Sequence, residues 1–192
     1  MKASEENIRR APQQERSRQT VVAVLDAVER VLKRDGVDAI TTNRIAEAAG
    51  VSIGSVYQYF PDKKSIFAAL HQRHVDEVSS VIEQTIAKSA SATTEEFTCA
   101  LLDALIDAHD VDPRLHEIIA DVVPESTNGF RLALQETFER VIPPSDSQRL
   151  LVLPHLVEAL VHGGTARRPS TVTLEELKRE ATRAVRAYLS AH

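Results

Sequence analysis

At 192 residues, with 43% hydrophobic and 27% charged residues, 6 glycines and 8 prolines, the composition is that of an ordinary globular protein; neither a disordered nor a collagen-like chain fits it. The 23 basic and 28 acidic residues sum to −5, which taken alone argues against a polyanionic partner. A single cysteine, Cys99, leaves no intrachain disulfide and no cysteine-based zinc site, so a reducing, cytoplasmic setting is expected.

Residues 1–15 are polar, with no apolar period and no apolar core of a secretory signal, and are predicted to be a flexible basic arm. Val21, Leu25, Val28 and Leu32 then repeat at helical spacing, and Gly36 is the natural stop. Two short elements follow: TTNRIAEAAG, with Thr41 as N-cap and Gly50 as terminator, and a segment capped by Ser52 that runs to Tyr59 before Pro61 blocks it. Asp62 can cap a longer helix, whose apolar positions Ile66, Leu70, Val78, Ile82 and Ile86 keep the period to about Ser89. After the break SASATT, Thr93 and Glu96 form a capping box. Phe97, Leu101, Leu105 and Ala108 mark the helix it opens, which is predicted to end near Asp112 and Pro113. Leu115, Ile118, Ile119 and Val122 predict a short helix stopped by Pro124; Phe130, Leu134, Phe138 and Val141 predict another, stopped by Pro143 and Pro144.

Ser145 with Gln148 is predicted to start the next helix, which is apolar around most of its circumference from Leu150 to Val161. Pro154 would kink it or sit in its first turns, and Gly163-Gly164 would end it. Thr173 with Glu176 starts the last helix, through Leu177, Ala181, Ala184, Val185 and Tyr188. No strand is predicted, and the longest apolar runs, such as Leu150 to Leu153, are far too short to span a bilayer. The expectation is an all-α chain. Residues 16–62 form a three-helix helix-turn-helix DNA-binding domain, 63–89 a connecting helix, and 90–192 a helical-bundle ligand-binding and dimerisation domain.

The informative stretch is 41–67. Its two short helices joined at Ala49-Gly50-Val51-Ser52 read as a helix-turn-helix, because glycine lets the chain reverse while Ile45, Ala46, Val51 and Val56 meet between the helices. The second helix is too short to form a core by itself, yet it displays Ser55, Tyr57, Gln58 and Tyr59, which suits the major groove. Gln58 can pair bidentately with adenine, Ser55 and Tyr57 can donate to phosphate, and Ile53 can touch a thymine methyl. Lys63 and Lys64 oppose the dipole of the helix they open, a local conflict that a phosphate clamp explains. Phe60 is expected to close the core.

Over about residues 16–67 the chain resembles the DNA-binding domain of the TetR/AcrR family of bacterial transcriptional regulators. The residues that carry the resemblance are Thr41, Thr42, Ile45, Ala46, Ala49, Gly50, Val51, Ser52, Gly54, Tyr57, Tyr59, Phe60 and Lys63. It implies a homodimer that binds operator DNA, with a small-molecule pocket in the C-terminal domain. It also implies DNA contacts at Thr42, Asn43, Ile53, Gly54, Ser55, Tyr57, Gln58, Tyr59 and Lys63. Ile53 departs from the family's usual lysine, which removes a phosphate or guanine contact.

Candidate pocket residues are the polar or aromatic groups on otherwise apolar C-terminal helices: Phe97, Cys99, Asp103, His109, His116, Phe130, Phe138 and His155. His109, Asp112 and His116 include good metal ligands, but Pro113 keeps the two histidines off one helical face, and neither metal nor cofactor is expected. No catalytic motif is present. Leu153, Leu156, Val157, Leu160 and Val161, with Leu177, Ala181, Val185 and Tyr188, are the expected half of a four-helix dimer interface.

Three readings stand: a ligand-released repressor on a palindromic operator, a DNA-binding regulator controlled by a protein partner, and a helical small-molecule carrier or enzyme. The charge distribution favours the first two. Residues 1–75 hold 12 Lys/Arg and 9 Asp/Glu, net +3, and residues 76–192 hold 11 and 19, net −8. A basic reading head thus sits in an acidic chain, with Arg9, Arg10, Arg16 and Arg18 placed to add phosphate or minor-groove contacts.

Overall fold

The computed structural model describes residues 6–109 and 126–191. Every regular element among them is helical, and the chain divides into two compact units, Met1–Leu70 and His71–His192.

The first unit opens with α1, Glu6–Asp35, so the flexible arm expected through residue 15 gives way to helix from Glu6 onward. Ala, Arg, Gln and Glu dominate this stretch and are good helix formers, and packed turns downstream propagate into it one hydrogen bond at a time. Gln19 Nε2 supports the propagation by donating to Glu15 Oε1 at 3.3 Å. Nor is the stretch basic, because Glu5, Glu6 and Glu15 balance Lys2, Arg9 and Arg10. Gly36, at φ 78°, closes α1 with its N–H on the Leu32 carbonyl at 2.9 Å. A 3-10 turn at Val37–Ala39 leads to α2, Thr42–Ala49, then α3, Ile53–Tyr59, and α4, Lys63–Lys88.

Local chemistry sets these boundaries. The Thr41 hydroxyl accepts the Arg44 N–H at 3.3 Å, Ser52 Oγ accepts the Ser55 N–H at 3.0 Å, and the Asp62 carboxylate accepts the Ser65 N–H at 2.7 Å. Val24, Ala27, Val28, Val31 and Leu32 of α1 pack with Ile40, Ile45, Val56, Phe60, Ile66, Phe67 and Leu70, none more than 5% exposed. Phe60 is therefore core, as expected.

The second unit contains the later turns of α4, then α5, Thr94–Ala108, α6, Ser126–Val141, α7, Ser147–Glu158, and α8, Leu174–Ser190. Capping boxes at Thr93/Glu96 and Thr173/Glu176 open α5 and α8. Phe97 and Phe138 meet edge to face at 6.0 Å in a core with Leu101, Leu105, Leu134, Leu153, Val157, Val161 and Val185.

Four expectations change in this unit. α5 stops at Ala108 rather than near Asp112, because the backbone N–H of His109 caps it and the His109 ring Nδ1 also bonds the Leu105 carbonyl at 2.8 Å. The short helix expected from Leu115 to Val122 lies outside the described residues. The cap of α7 is Asp146, not Ser145. Its carboxylate accepts the Arg149 N–H at 3.2 Å and pairs with the Arg149 guanidinium at 3.1 Å, a charge interaction that serine cannot make.

The helix also runs through both the proline and the glycines expected to disturb it. Pro154 is buried inside α7, which continues as a π-helical turn, Ala159–Gly163, and a last α-helical turn, Gly164–Ala166. Gly164 is helical, and a Cβ there would lie 2.9 Å from Leu177 Cδ1; the missing side chain admits α8 rather than ending the helix.

The fourth change concerns the expected dimer face. Leu153, Val157, Val161 and Val185 are 0% exposed and Ala181 1%, so all five are used inside the chain's own core and offer nothing to a second copy. Their helical spacing puts them on the inner side of α7 and α8. Leu156, Leu160, Leu177 and Tyr188 are partly buried against the same core, while Leu151 is 67% exposed.

Candidate nucleic-acid interface

The turn between α2 and α3 is a Schellman motif. Gly50 sits at φ 68°, ψ 29°, its N–H reaching the Glu47 carbonyl at 3.1 Å while the Val51 N–H reaches Ala46 at 3.0 Å. This left-handed residue ends α2 and allows α3 to begin two residues later under its own serine cap. Ile45 and Val56, both 0% exposed, are shared with the core and anchor the two helices.

Anchored through Val56, α3 turns its other residues outward. Ile53 is 43% and Tyr57 52% exposed, although both have large apolar side chains whose burial would contribute about 1.5–3 kcal/mol each. Gln58 is exposed beside them, as are Asn43 at the start of α2 and Gly54. Thr42 is half-buried. Ser55 is half-buried too, its Oγ 2.8 Å from that of Ser52. Nothing in the chain requires glycine at 54, since a Cβ would meet only Ser52 Oγ at 3.8 Å.

Lys63 and Lys64 are exposed in the first turn of α4, and Lys63 Nζ stands 5.5 Å from the centroid of the Phe67 ring. That contact steadies the lysine without neutralising it. Tyr59 differs from its neighbours on α3: its hydroxyl donates to Ser17 Oγ of α1 at 3.1 Å in a half-buried contact. Arg34 and Arg44 converge on Asp35 at 2.8 and 3.1 Å, and the hydrogen bond from Arg34 holds the Asp35 carboxyl below its ordinary range. Arg30 donates to the Ala48 carbonyl at 2.9 Å, so these cations brace α1 against α2.

The candidate pocket residues of the second unit do not gather into one site. Phe97 and Phe138 close the core, Asp103 pairs with Lys178 at 3.4 Å on the surface, and exposed His155 bonds the Leu151 carbonyl at 2.9 Å. Cys99 is half-buried, and burial pushes its thiol up. His116 lies outside the described residues. His109 and Phe130 do meet, with ring centroids 4.9 Å apart, in a cluster that the sequence did not disclose. His74 of α4 stands 4.8 Å from His109, and His162 of the π-helical turn stands 4.9 Å from His109 and 4.4 Å from Phe130. A π-turn has no sequence signature, and nothing local marks His74 or His162 as partners of His109. Ser17 was missed for the same reason.

Among the described residues no group of three or more metal-ligating side chains is arranged to hold an ion, and no helix is long and apolar enough to cross a membrane.

Comparison with known proteins supports the interface. The family described as bacterial regulatory proteins, tetR family, matches residues 24–70. Nucleoid occlusion factor SlmA of Actinobacillus pleuropneumoniae (strain L20) is 39% identical over 74 residues, 38% of this chain and 33% of that protein. The matched region therefore spans only about a third of that relative's length. The uncharacterised HTH-type transcriptional regulator YvkB of Bacillus subtilis (strain 168) is 37% identical over 123 residues, covering 61% of this chain and 65% of YvkB. A crystal structure of a regulator from Mesorhizobium loti MAFF303099, assigned to the same family, has the same fold. It has a TM-score of 0.70 and 20% identity, and covers 92% of this chain and 98% of that one.

Proposed function

This chain belongs to the tetR family of bacterial regulatory proteins, and from that premise we propose a cytoplasmic transcriptional repressor that binds a palindromic operator as a homodimer and leaves it when a small molecule binds the second unit. The observation that carries the proposal is the division of α3, with Val56 fully buried while Ile53 and Tyr57 stand exposed next to Gln58. A helix of seven residues that withholds its large apolar groups from the core is shaped to meet something else.

In this reading Gln58 pairs with adenine, Ile53 touches a thymine methyl, and Ser55 and Tyr57 donate to phosphate. Lys63 and Lys64 neutralise phosphates, and Thr42 and Asn43 bring the start of α2 to the backbone. The effector contacts the ring cluster of His74, His109, Phe130 and His162, and α4 belongs to both units, with Lys63 near one end and His74 in its middle. Its effect on DNA binding is limited to its differential affinity for the two conformations.

A second reading, control by a protein partner, draws on the SlmA similarity and on a charged surface groove of about 800 Å³ that includes Asp103, Lys178, Arg179, Arg183 and Arg186. Selection of genomic fragments followed by a ligand screen separates the two. The repressor yields fragments sharing an inverted repeat, with half-sites about 34–36 Å apart or a multiple of that, and at least one compound that releases them. Binding that no compound releases, but a bacterial protein fraction does, supports the partner. Failure to enrich any fragment overturns both.

A further inference from the structure

The Tyr59 hydroxyl is engaged within the chain. It donates to Ser17 Oγ at 3.1 Å, joining the last residue of the recognition helix to the N-terminal half of α1 across 42 positions of sequence. The contact is not incidental to packing. From residue 15 to residue 23 no side chain of α1 is buried, and the fully buried positions begin at Val24. Apolar packing therefore fixes α1 only from its middle onward, and helix ends that lack tertiary contacts fray.

Ser17 is flanked by Arg16 and Arg18, both exposed. Neighbours on an α-helix stand about 100° apart around the axis, so a serine turned to α3 directs one arginine to each side of the contact. The carboxylate of nearby Glu15 accepts from Gln19 Nε2. Lys63 and Lys64 follow Tyr59 closely at the start of α4. The Ser17–Tyr59 hydrogen bond thus brings two elements carrying exposed cations to the same end of α3.

We propose that Ser17 is a positioning residue for DNA binding. By holding Tyr59 it secures the N-terminal turns of α1 beside the end of the recognition helix, so that Arg16 and Arg18 reach phosphates next to those met by Lys63 and Lys64. Tyr59 then acts as the other half of the clasp and not as a direct DNA contact. The inference rests on the DNA-binding reading above.

The test uses the full chain, a duplex selected from a random-sequence library by the wild type, and fluorescence anisotropy over a series of KCl concentrations. Ser17→Ala is expected to weaken binding about 2- to 10-fold, the range one hydrogen bond spans. It should also flatten the salt dependence by about 0.9 for each phosphate that Arg16 or Arg18 no longer neutralises. Ser17→Thr, which keeps the hydroxyl, should restore both, and Tyr59→Phe should reproduce Ser17→Ala. In an Arg16→Gln/Arg18→Gln background, Ser17→Ala should add no further loss, because the arginines it positions are already gone. Helical circular dichroism and its melting curve verify that each variant is folded, and Tyr59→Phe, which retains the ring, carries the test if Ser17→Ala is not. Wild-type affinity and salt slope in both clasp variants overturn the proposal. So does full additivity with the arginine changes, or a loss in Tyr59→Phe that Ser17→Ala does not share. A wild-type chain that selects no duplex defeats the regulator reading itself, which is a separate result.

Discussion

Gly54 is a glycine whose reason lies outside the folded chain. It is helical, and an added methyl would meet only Ser52 Oγ at 3.8 Å. Gly50, by contrast, needs its glycine for a left-handed φ of 68°. Replacing Gly54 with Ala should therefore stabilise the fold, by up to ~1 kcal/mol from reduced backbone entropy in the unfolded chain. If α3 enters the groove at its N-terminal end, the same methyl obstructs the approach. Gly54→Ala is expected to melt at a higher temperature and bind the selected duplex less tightly; unchanged affinity would remove Gly54 from the interface. Gln58 and Lys63 should separate in another way. Gln58→Ala should relax preference at a single base pair, where it loses up to about 1–3 kcal/mol of discrimination. Lys63→Ala should weaken all sequences alike and reduce the salt slope by about 0.9. Binding profiles over single-base variants of the duplex, taken at two salt concentrations, distinguish the two patterns.

At the scale of elements, the caps are where the sequence speaks most plainly, because an N-cap hydrogen bond is made within three residues of its own backbone. Thr41, Ser52, Asp62, Thr93 and Thr173 all cap where their spacing predicts. The same locality gives the capping boxes a pH signature. In α8 the Glu176 carboxylate accepts the Thr173 backbone N–H at 2.8 Å, and that bond, with one from the Thr173 hydroxyl, holds its pKa below the ordinary value. A carboxyl with a depressed folded pKa contributes stability above its unfolded pKa and loses it as pH falls through the folded one. Glu176→Gln should therefore be less stable than wild type at neutral pH, and the gap should narrow on acidification below the ordinary glutamate pKa of 4.5. Thr173→Ala should cost ~1 kcal/mol through removal of the cap. Urea titrations at neutral and acid pH test both, and a gap that widens in acid would contradict the assignment.

Elements were misread where the deciding contact is not local. Ser145 and Asp146 are both plausible caps, and the Arg149 guanidinium beside the Asp146 carboxylate favours the aspartate. Gly163-Gly164 has the form of a helix stop, yet Gly164 serves the approach of Leu177 from another helix. The candidate DNA contacts were legible because they belong to one continuous motif. Ser17 and the histidine cluster were not, since each joins residues from separate helices.

For the whole molecule, burial within a single chain narrows what a homodimer can use. A partner cannot touch Leu153, Val157, Val161, Ala181 or Val185, all at most 1% exposed. Leu151 is 67% exposed near the start of α7, and Leu156 and Leu160 lie partly open farther along it. An exposed leucine on an otherwise amphipathic helix is common in a monomer, so its role has to be decided by experiment. If this side of α7 meets its copy, Leu151→Glu places two carboxylates across a two-fold axis, where like charges and a desolvation penalty oppose association. Sedimentation should then show the dimer dissociating at protein concentrations where the wild type does not. Operator affinity should fall with it, because two linked half-site contacts exceed one by about 10²- to 10⁴-fold through effective concentration alone. A duplex carrying only one half-site should be bound nearly as well by the variant as by the wild type, since the reading head of each chain is intact. Val157→Glu is the contrasting change: it buries a charge in the core and should lower the melting temperature instead of changing assembly. A Leu151→Glu chain that remains dimeric and keeps its preference for the full palindrome would move the interface away from this face of α7.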